Sequence, residues 1–486
     1  MKKAFFKASG MMGMIVSFTC LSIFAAEITV KQDGSGDHAT IQAAIDAAAE
    51  GDTIVIHAGS YTEDLNIGHV NMPPAKKSDL TLKAAVGAEV TITLANNSNR
   101  LAALAAAGAD FGETDYMGFL VYGDNVTLEG LKLIQQAEAV NAINVASALS
   151  IISNNVTVRD CVIEGPGPDA EGDFLGMVIT PLDVISLQQG QNALAKNLTV
   201  ENCQISNVPY AFAIANFPLE LGVAVDSPDA SLTNCEFFNC GSGIEMDDGV
   251  VTAQDCNFHD NGTGVSVSDD ALTLTNSTIV NNLENGISID DSEAEDNEPA
   301  ENPVIQIENC MVLNNGYGAD GSGTNHGVEI EHGTITLNNT VIANSAGNTL
   351  FLDPPADREI TLTIDHCDLY ESQDGVAINT PEEPENFIHL TMTNNILVDI
   401  IGVFNSFPAL EGTYEYNDFF VTSDPFFPDD MEQTISDMLN VDPQYVDAEN
   451  GNFNLSPDSP VATAGEGGTH LGAKGVQTKI QNWMVH

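Results

Sequence analysis

Ser231-Leu232-Thr233-Asn234-Cys235-Glu236-Phe237 opens a stretch, residues 231–291, in which the chain repeats itself. The pattern returns as Val251-Thr252-Ala253-Gln254-Asp255-Cys256-Asn257-Phe258 and again as Leu272-Thr273-Leu274-Thr275-Asn276-Ser277-Thr278-Ile279. Between these copies lie Gly243-Ile244-Glu245-Met246-Asp247-Asp248, Gly264-Val265-Ser266-Val267-Ser268-Asp269 and Gly286-Ile287-Ser288-Ile289-Asp290-Asp291, their glycines 21 and 22 residues apart. A fixed short period with alternating apolar positions and Asn/Gly punctuation is the mark of a β-solenoid. In each turn the residue after Gly points inward and its neighbour outward. Ile244, Met246, Val265, Val267, Ile287, Ile289, Val328, Ile330, Val376 and Ile378 therefore form core columns.

The cysteines and asparagines obey the same period. Cys161, Cys203, Cys235, Cys256, Cys310 and Cys367 each follow an Asn, Asp or His at one place in the repeat, and form one inward column; Cys20 and Cys240 fall elsewhere. Rungs ~4.8 Å apart leave neighbouring bridges within reach, but buried free thiols packing as small hydrophobes fit the pattern better. Asn202, Asn234, Asn276, Asn309 and Asn339 recur at one corner, as an amide ladder between rungs requires.

The 486 residues hold 70 Asp+Glu against 14 Lys+Arg, a net charge of −56. Such a surface repels nucleic acid and anionic membranes, and suits a salty medium or the collection of divalent cations. Lys2, Lys3 and Lys7, the apolar run from Met11 to Ala26 and the Ala25-Ala26 pair before Glu27 read as a secretory signal peptide, residues 1–26. A secreted or periplasmic monomer is expected, with no membrane contact after cleavage.

In residues 27–67, Ile28 and Val30 alternate as a strand, Thr40 stands where it would cap a helix running to Ala49, and Ile41, Ala44, Ile45 and Ala48 share that helix's apolar face. Val30-Lys31-Gln32-Asp33-Gly34-Ser35-Gly36-Asp37, Thr40-Ile41-Gln42-Ala43-Ala44-Ile45, Gly51-Asp52-Thr53-Ile54 and Gly59-Ser60-Tyr61-Thr62-Glu63 resemble the N-terminal cap of right-handed parallel β-helix proteins of the pectin-lyase-like group. Pectin methylesterases open in a similar way. The resemblance implies an all-β, right-handed parallel β-helix with an N-terminal capping helix. Rungs are expected over 68–400, with inserts near 96–116, 165–176, 292–302 and 316–326. Beyond 400 the period fades, and Val441-Asp442-Pro443-Gln444-Tyr445 and His470-Leu471-Gly472-Ala473 resemble the terminal segment of secreted bacterial β-helix proteins. Residues 401–486 are read as an irregular C-terminal cap.

The chemistry-bearing candidates lie on the acidic outward side. One column is Asp247, Ser268, Asp290, Glu331, Asp353 and Asn379; the corner beside it is Asp248, Asp269, Asp291 and His332. Stacked carboxylates are relieved by a cation or by raised pKa values. Asp247, Asp248, Asp269, Asp270, Asp290 and Asp291 are thus the metal candidates, with calcium the one cofactor expected. Asp247, Asp269, Asp290, Glu331 and His332 are the catalytic candidates, because carboxylates one or two rungs apart approximate the spacing of glycosidase pairs. As solvated turn residues they also need no function. Asp247-Asp248, Asp269-Asp270 and Asn325-His326-Gly327 resemble the Asp pairs and His motif of polygalacturonase-type hydrolases, but no Arg-x-Lys follows to hold a uronate carboxylate. Segments of the methylesterase kind, Asp-Phe-x-Phe-Gly and Leu-Gly-Arg-Pro-Trp, are missing.

Three functions fit these residues. One is a secreted β-helix protein that binds or processes extracellular or cell-surface carbohydrate without a complete known catalytic motif. The others are a calcium-assisted polysaccharide lyase or glycoside hydrolase and a purely structural solenoid.

Overall fold

A computed structural model of the chain describes residues 25–63, 65–68, 77–94, 116–136, 145–170, 173–179, 195–214, 227–247, 249–268, 271–290, 302–318, 325–355, 358–372, 376–378, 388–398, 410–420 and 433–476. The signal-peptide reading, most of the inserts at 96–116, 292–302 and 316–326, and Trp483 lie outside these residues.

Three long parallel sheets of 15, 13 and 11 strands run side by side. One rung contributes a strand to each in turn: Val250–Gln254 to the first, Asn257–His259 to the second and Thr263–Val267 to the third. The next rung repeats the order with Ala271–Thr275, Thr278–Val280 and Ile287–Ile289, in register throughout. Parallel pairing puts each residue over its equivalent one rung away, so the alternation of the sequence becomes straight columns. Ile244, Met246, Val265, Val267, Ile287, Ile289, Val328 and Ile330 are all buried in one continuous core; the side chains of Val376 and Ile378 lie outside the description.

The periodic glycine has a steric cause. A Cβ on Gly243 would sit 2.5 Å from the Gly264 carbonyl oxygen, one on Gly264 2.5 Å from that of Gly286, and one on Gly286 2.5 Å from that of Gly327. At this corner consecutive backbones pass too closely for any side chain.

The Asn corner answers to backbone conformation as well as to hydrogen bonding. Asn202, Asn234, Asn276, Asn309 and Asn339 all hold φ between 47° and 56°, the left-handed region that Asn tolerates best among residues with a side chain. Their amides also bond along the axis: Asn234 Nδ2 donates to Asn202 Oδ1 at 2.8 Å and Asn339 Nδ2 to Asn309 Oδ1 at 2.6 Å. A second, buried ladder was not foreseen. Asn261, Asn282 and Asn315 line the next corner, each accepting or donating between rungs, as in Asn282 N–H to Asn315 Oδ1 at 3.0 Å.

Seven cysteines are buried free thiols. Ser277, Thr340, Asn395 and Asn417 occupy the Cys place in other rungs; the Ser277 and Thr340 hydroxyls accept the N–H of Cys256 and Cys310.

Near the N-terminus a helix spans Ile41–Ala47, and its buried Ile41, Ala44 and Ile45 join the core. It ends short of Ala49, and Thr40 makes no side-chain cap. The cap comes from a strand instead: Glu63 accepts the N–H of Ile41 and of Gln42, both at 2.9 Å. A carboxylate there meets two orphan donors and the positive end of the helix. Among the described residues no helix is long and apolar enough to cross a membrane.

The C-terminal segment lies along the flank of the second sheet. Phe453, Val461 and Leu471 pack on Met311, Leu313, Val341, Tyr370, Ile396 and Val398. Those outward positions are apolar because this segment covers them. Asp368, wholly buried, accepts the Tyr445 hydroxyl at 2.8 Å and the Ala473 N–H at 3.2 Å. Asp418, also wholly buried, accepts the Val441 N–H at 3.0 Å.

Candidate functional site

The outer face of the third sheet carries two adjacent columns. Register stacks Val178, Ala213, Glu245, Ser266, Ser288, Glu329 and Phe351 in the first. In the second, the N–H groups of Asp247, Ser268, Asp290, Glu331 and Asp353 each donate to a carbonyl one rung back, at 2.8–3.1 Å. The second column is the one read from the sequence. The first was missed, although the signal was present: Glu245 lies between Ile244 and Met246, two core positions, and must point out.

The remaining sequence candidates divide. Asp248, Asp269, Asp270, Asp291 and Asn379 lie outside the described residues. His332 is wholly buried, which leaves Glu331 of that pair on the face. Among the described residues no three His, Cys, Asp or Glu side chains gather where a metal ion could be held.

At the centre of the face, the Ser266 hydroxyl lies 3.3 Å from Glu245 Oε1 and 3.4 Å from Asp290 Oδ2, and the Ser268 hydroxyl donates to Asp290 Oδ1 at 3.0 Å. A hydroxyl has one proton to donate. Both Ser266 contacts are therefore satisfied together when one of the two carboxyl groups is protonated and donates to Ser266, which donates on to the other. Burial pushes the Glu245 carboxyl up to about 7, against the Ser242 and Ser266 hydrogen bonds and with Asp247 and Asp290 adding to the rise. Glu329 is raised too, chiefly by burial, while Asn285 opposes and Glu331, Asp353 and Asp290 reinforce.

Further along, the Asn348 backbone N–H donates to His326 Nδ1 at 3.1 Å, which puts the ring proton of the neutral tautomer on Nε2. Burial pushes His326 down to about 4. Its ring stacks on Phe351, centroids 4.2 Å apart and planes 18° from parallel. Asn285 joins this end to the acids: its Oδ1 accepts the His326 backbone N–H at 2.7 Å and its Nδ2 donates to Glu329 Oε2.

A second titratable group lies on the second sheet, where His259 Nε2 faces Glu236 Oε1 at 3.1 Å and Nδ1 faces Asp260 Oδ2 at 2.7 Å. Burial opposes its protonation, but both carboxylates favour it and the net effect is a raised pKa.

With rungs, columns and face in place, comparison with known proteins addresses the fold. The family model described as a right-handed beta helix region matches residues 113–271 and 191–353. This chain is a right-handed parallel β-helix repeat protein. The N-terminal resemblance to the pectin-lyase-like group implied that fold. Among solved structures, the β-helix is similar to a PL6 family polysaccharide lyase from Pseudopedobacter saltans, 12% identical over 92% of this chain and 99% of that one, TM-score 0.47. It is similar also to pectate lyase Pel9A, 12% identical over 91% and 92%, TM-score 0.40. A third is the Dettilon tailspike protein, 10% identical over 74% and 62%, TM-score 0.45. At these identities the likeness concerns the fold alone. A comparison with curated protein sequences finds no match.

Proposed function

We propose that this β-helix protein binds and cleaves an extracellular polysaccharide on the outer face of its third sheet, with Glu245 as general acid and Asp290 as general base. The observation that carries the reading is the Glu245–Ser266–Asp290 arrangement, in which one hydroxyl spans two carboxyl groups and burial drives Glu245 toward its neutral form. Glycoside hydrolysis works with a carboxyl group that keeps its proton, paired with a second that serves as base. Glu245 gives its proton to the departing glycosidic oxygen as the bond from the anomeric carbon breaks. Asp290 takes a proton from the water that forms the new bond to that carbon. Each cleavage leaves one new reducing end. Several proteins of similar fold are polysaccharide lyases by name, which accords with a carbohydrate substrate, and residues 1–26 support export.

Incubating residues 27–486 with neutral and uronic polysaccharides, with and without calcium, tests this through reducing ends and unsaturated products. Glu245→Gln and Asp290→Asn are each expected to lower the rate by roughly 10²- to 10⁴-fold. Rates unchanged in both variants, or no product from any polymer, would overturn the acid–base assignment.

A further inference from the structure

The face that holds Glu245 and Asp290 is unusual in what it lacks. The strands of the third sheet contain no lysine or arginine. Over the whole of residues 160–473 the sequence has only Lys196 and Arg358. Lys196 precedes a strand of the first sheet, and Arg358 stands in the turn that runs from Asp353 back to that sheet, which leaves one guanidinium beside the end of the acidic column. Against them the two columns present Glu245, Asp247, Asp290, Glu329, Glu331 and Asp353. A polyuronate brings one carboxylate per sugar, and its recognition rests on guanidinium or ammonium donors or on a bridging divalent cation; among the described residues no three acidic side chains gather to hold such an ion. Here it would meet a field of its own sign.

The same face offers an aromatic ring. Phe351 is half-buried on the first column, directly after Glu329 and before Ala377, in register. His326 fixes it from one side and is itself held by the Asn348 N–H, so the ring is pre-positioned. Burial keeps His326 neutral, and the stack adds no cation that would draw an anionic sugar. The C–H face of a pyranose carries partial positive charge and packs on the negative face of an aromatic ring, while carboxylates alongside accept hydrogen bonds from sugar hydroxyls. Phe351 lies three rungs beyond Ser266, so the two ends are on the order of 14 Å apart. That is an elongated site, and it suits a polymer.

We propose that this face takes an uncharged polysaccharide, with Phe351 as the stacking subsite and Glu329 as its hydrogen-bond acceptor. The inference rests on the carbohydrate reading of the Glu245–Asp290 site and narrows it to a substrate class. Affinity electrophoresis of residues 27–486 through gels containing a neutral β-glucan, a mannan, polygalacturonate or alginate, each with calcium and with chelator, supplies the test. Retardation is expected in at least one neutral gel and in neither uronic gel. Phe351→Ala should weaken the neutral interaction by tenfold or more, Phe351→Trp should retain it, and thermal unfolding of both variants should match the parent. Retardation by uronic polymers alone would leave the acid–base reading standing and sink the neutral-substrate inference. So would neutral binding that Phe351→Ala leaves unchanged in a folded variant. Absence of retardation in every gel would overturn both.

Discussion

Replacing Asp368 by Asn should change how stability depends on pH. Asp368 is wholly buried between the second sheet and the C-terminal segment, with the Tyr445 hydroxyl and the Ala473 N–H directed at its two oxygens. Burial pushes its carboxyl up to about 8 from an ordinary value of 3.8, against both hydrogen bonds. The native state therefore keeps a proton that the unfolded chain gives up. The contribution to stability is complete below the unfolded value and declines as pH rises, until the native group also ionises near pH 8. A one-unit shift corresponds to about 1.4 kcal/mol. Asp418, raised to about 6 mainly by burial, acts in the same sense at lower pH, and Glu245, raised to about 7, acts within the window from 6 to 8, so the difference between parent and variant across that window isolates Asp368. Across it the parent should lose up to roughly 2.7 kcal/mol from this group. Asp368→Asn cannot ionise and should lose none of that. At pH 5 the variant is expected to be less stable by about 1–3 kcal/mol, because an amide cannot accept both donors, and the difference between the two proteins should shrink or reverse by pH 9. Urea unfolding at pH 5, 6, 7, 8 and 9 measures this, and limited proteolysis reports release of the C-terminal segment. Parallel curves for parent and variant between pH 6 and 8 would refute the reasoning, as would a parent that gains stability relative to the variant there.

Three further outcomes are expected. Polysaccharide cleavage by the parent should decline as pH rises through about 7, the value to which burial lifts Glu245, since a general acid must hold its proton; a rate that climbs through this range would count against Glu245 as the donor. Gly264→Ala should cost about 1–3 kcal/mol in thermal or urea unfolding, because its Cβ would meet the Gly286 carbonyl oxygen and Ile279 Cγ2, both at 2.5 Å, and an unchanged midpoint would show that the corner yields. Glu63→Ala should cost roughly 1 kcal/mol, since it strips the helix of the carboxylate that receives the Ile41 and Gln42 N–H groups; equal stability would mean that solvent caps the helix as well.

Much of the fold was legible because a parallel β-helix converts sequence period directly into spatial columns. Gly243, Gly264 and Gly286 gave the rung length, and Ile244, Val265 and Ile287 the core. Asn202, Asn234 and Asn276 marked a corner whose left-handed backbone they tolerate. The Asp247–Asp290–Asp353 column was legible for the same reason, since residues one period apart stack. What the period could not convey is depth. Glu245 and Asp290 are both outward acids in the repeat, yet only the folded chain supplies the burial that raises Glu245 and the Ser266 hydroxyl that spans the pair. His332 looked like a neighbour of Glu331, and the corner turns it wholly inside.

The sequence by itself determined the solenoid, its rung spacing, the sign of its charge and the scarcity of cations along its length, because these are properties of order and composition. Contacts between residues far apart in the chain were decided only in three dimensions. The pairing of Tyr445 with Asp368, the capping of Ile41 and Gln42 by Glu63 and the stacking of His326 on Phe351 each depend on which surfaces the loops and the C-terminal segment cover. That covering sets local desolvation, and desolvation raises the Glu245 and Glu329 carboxyl groups of the acidic face.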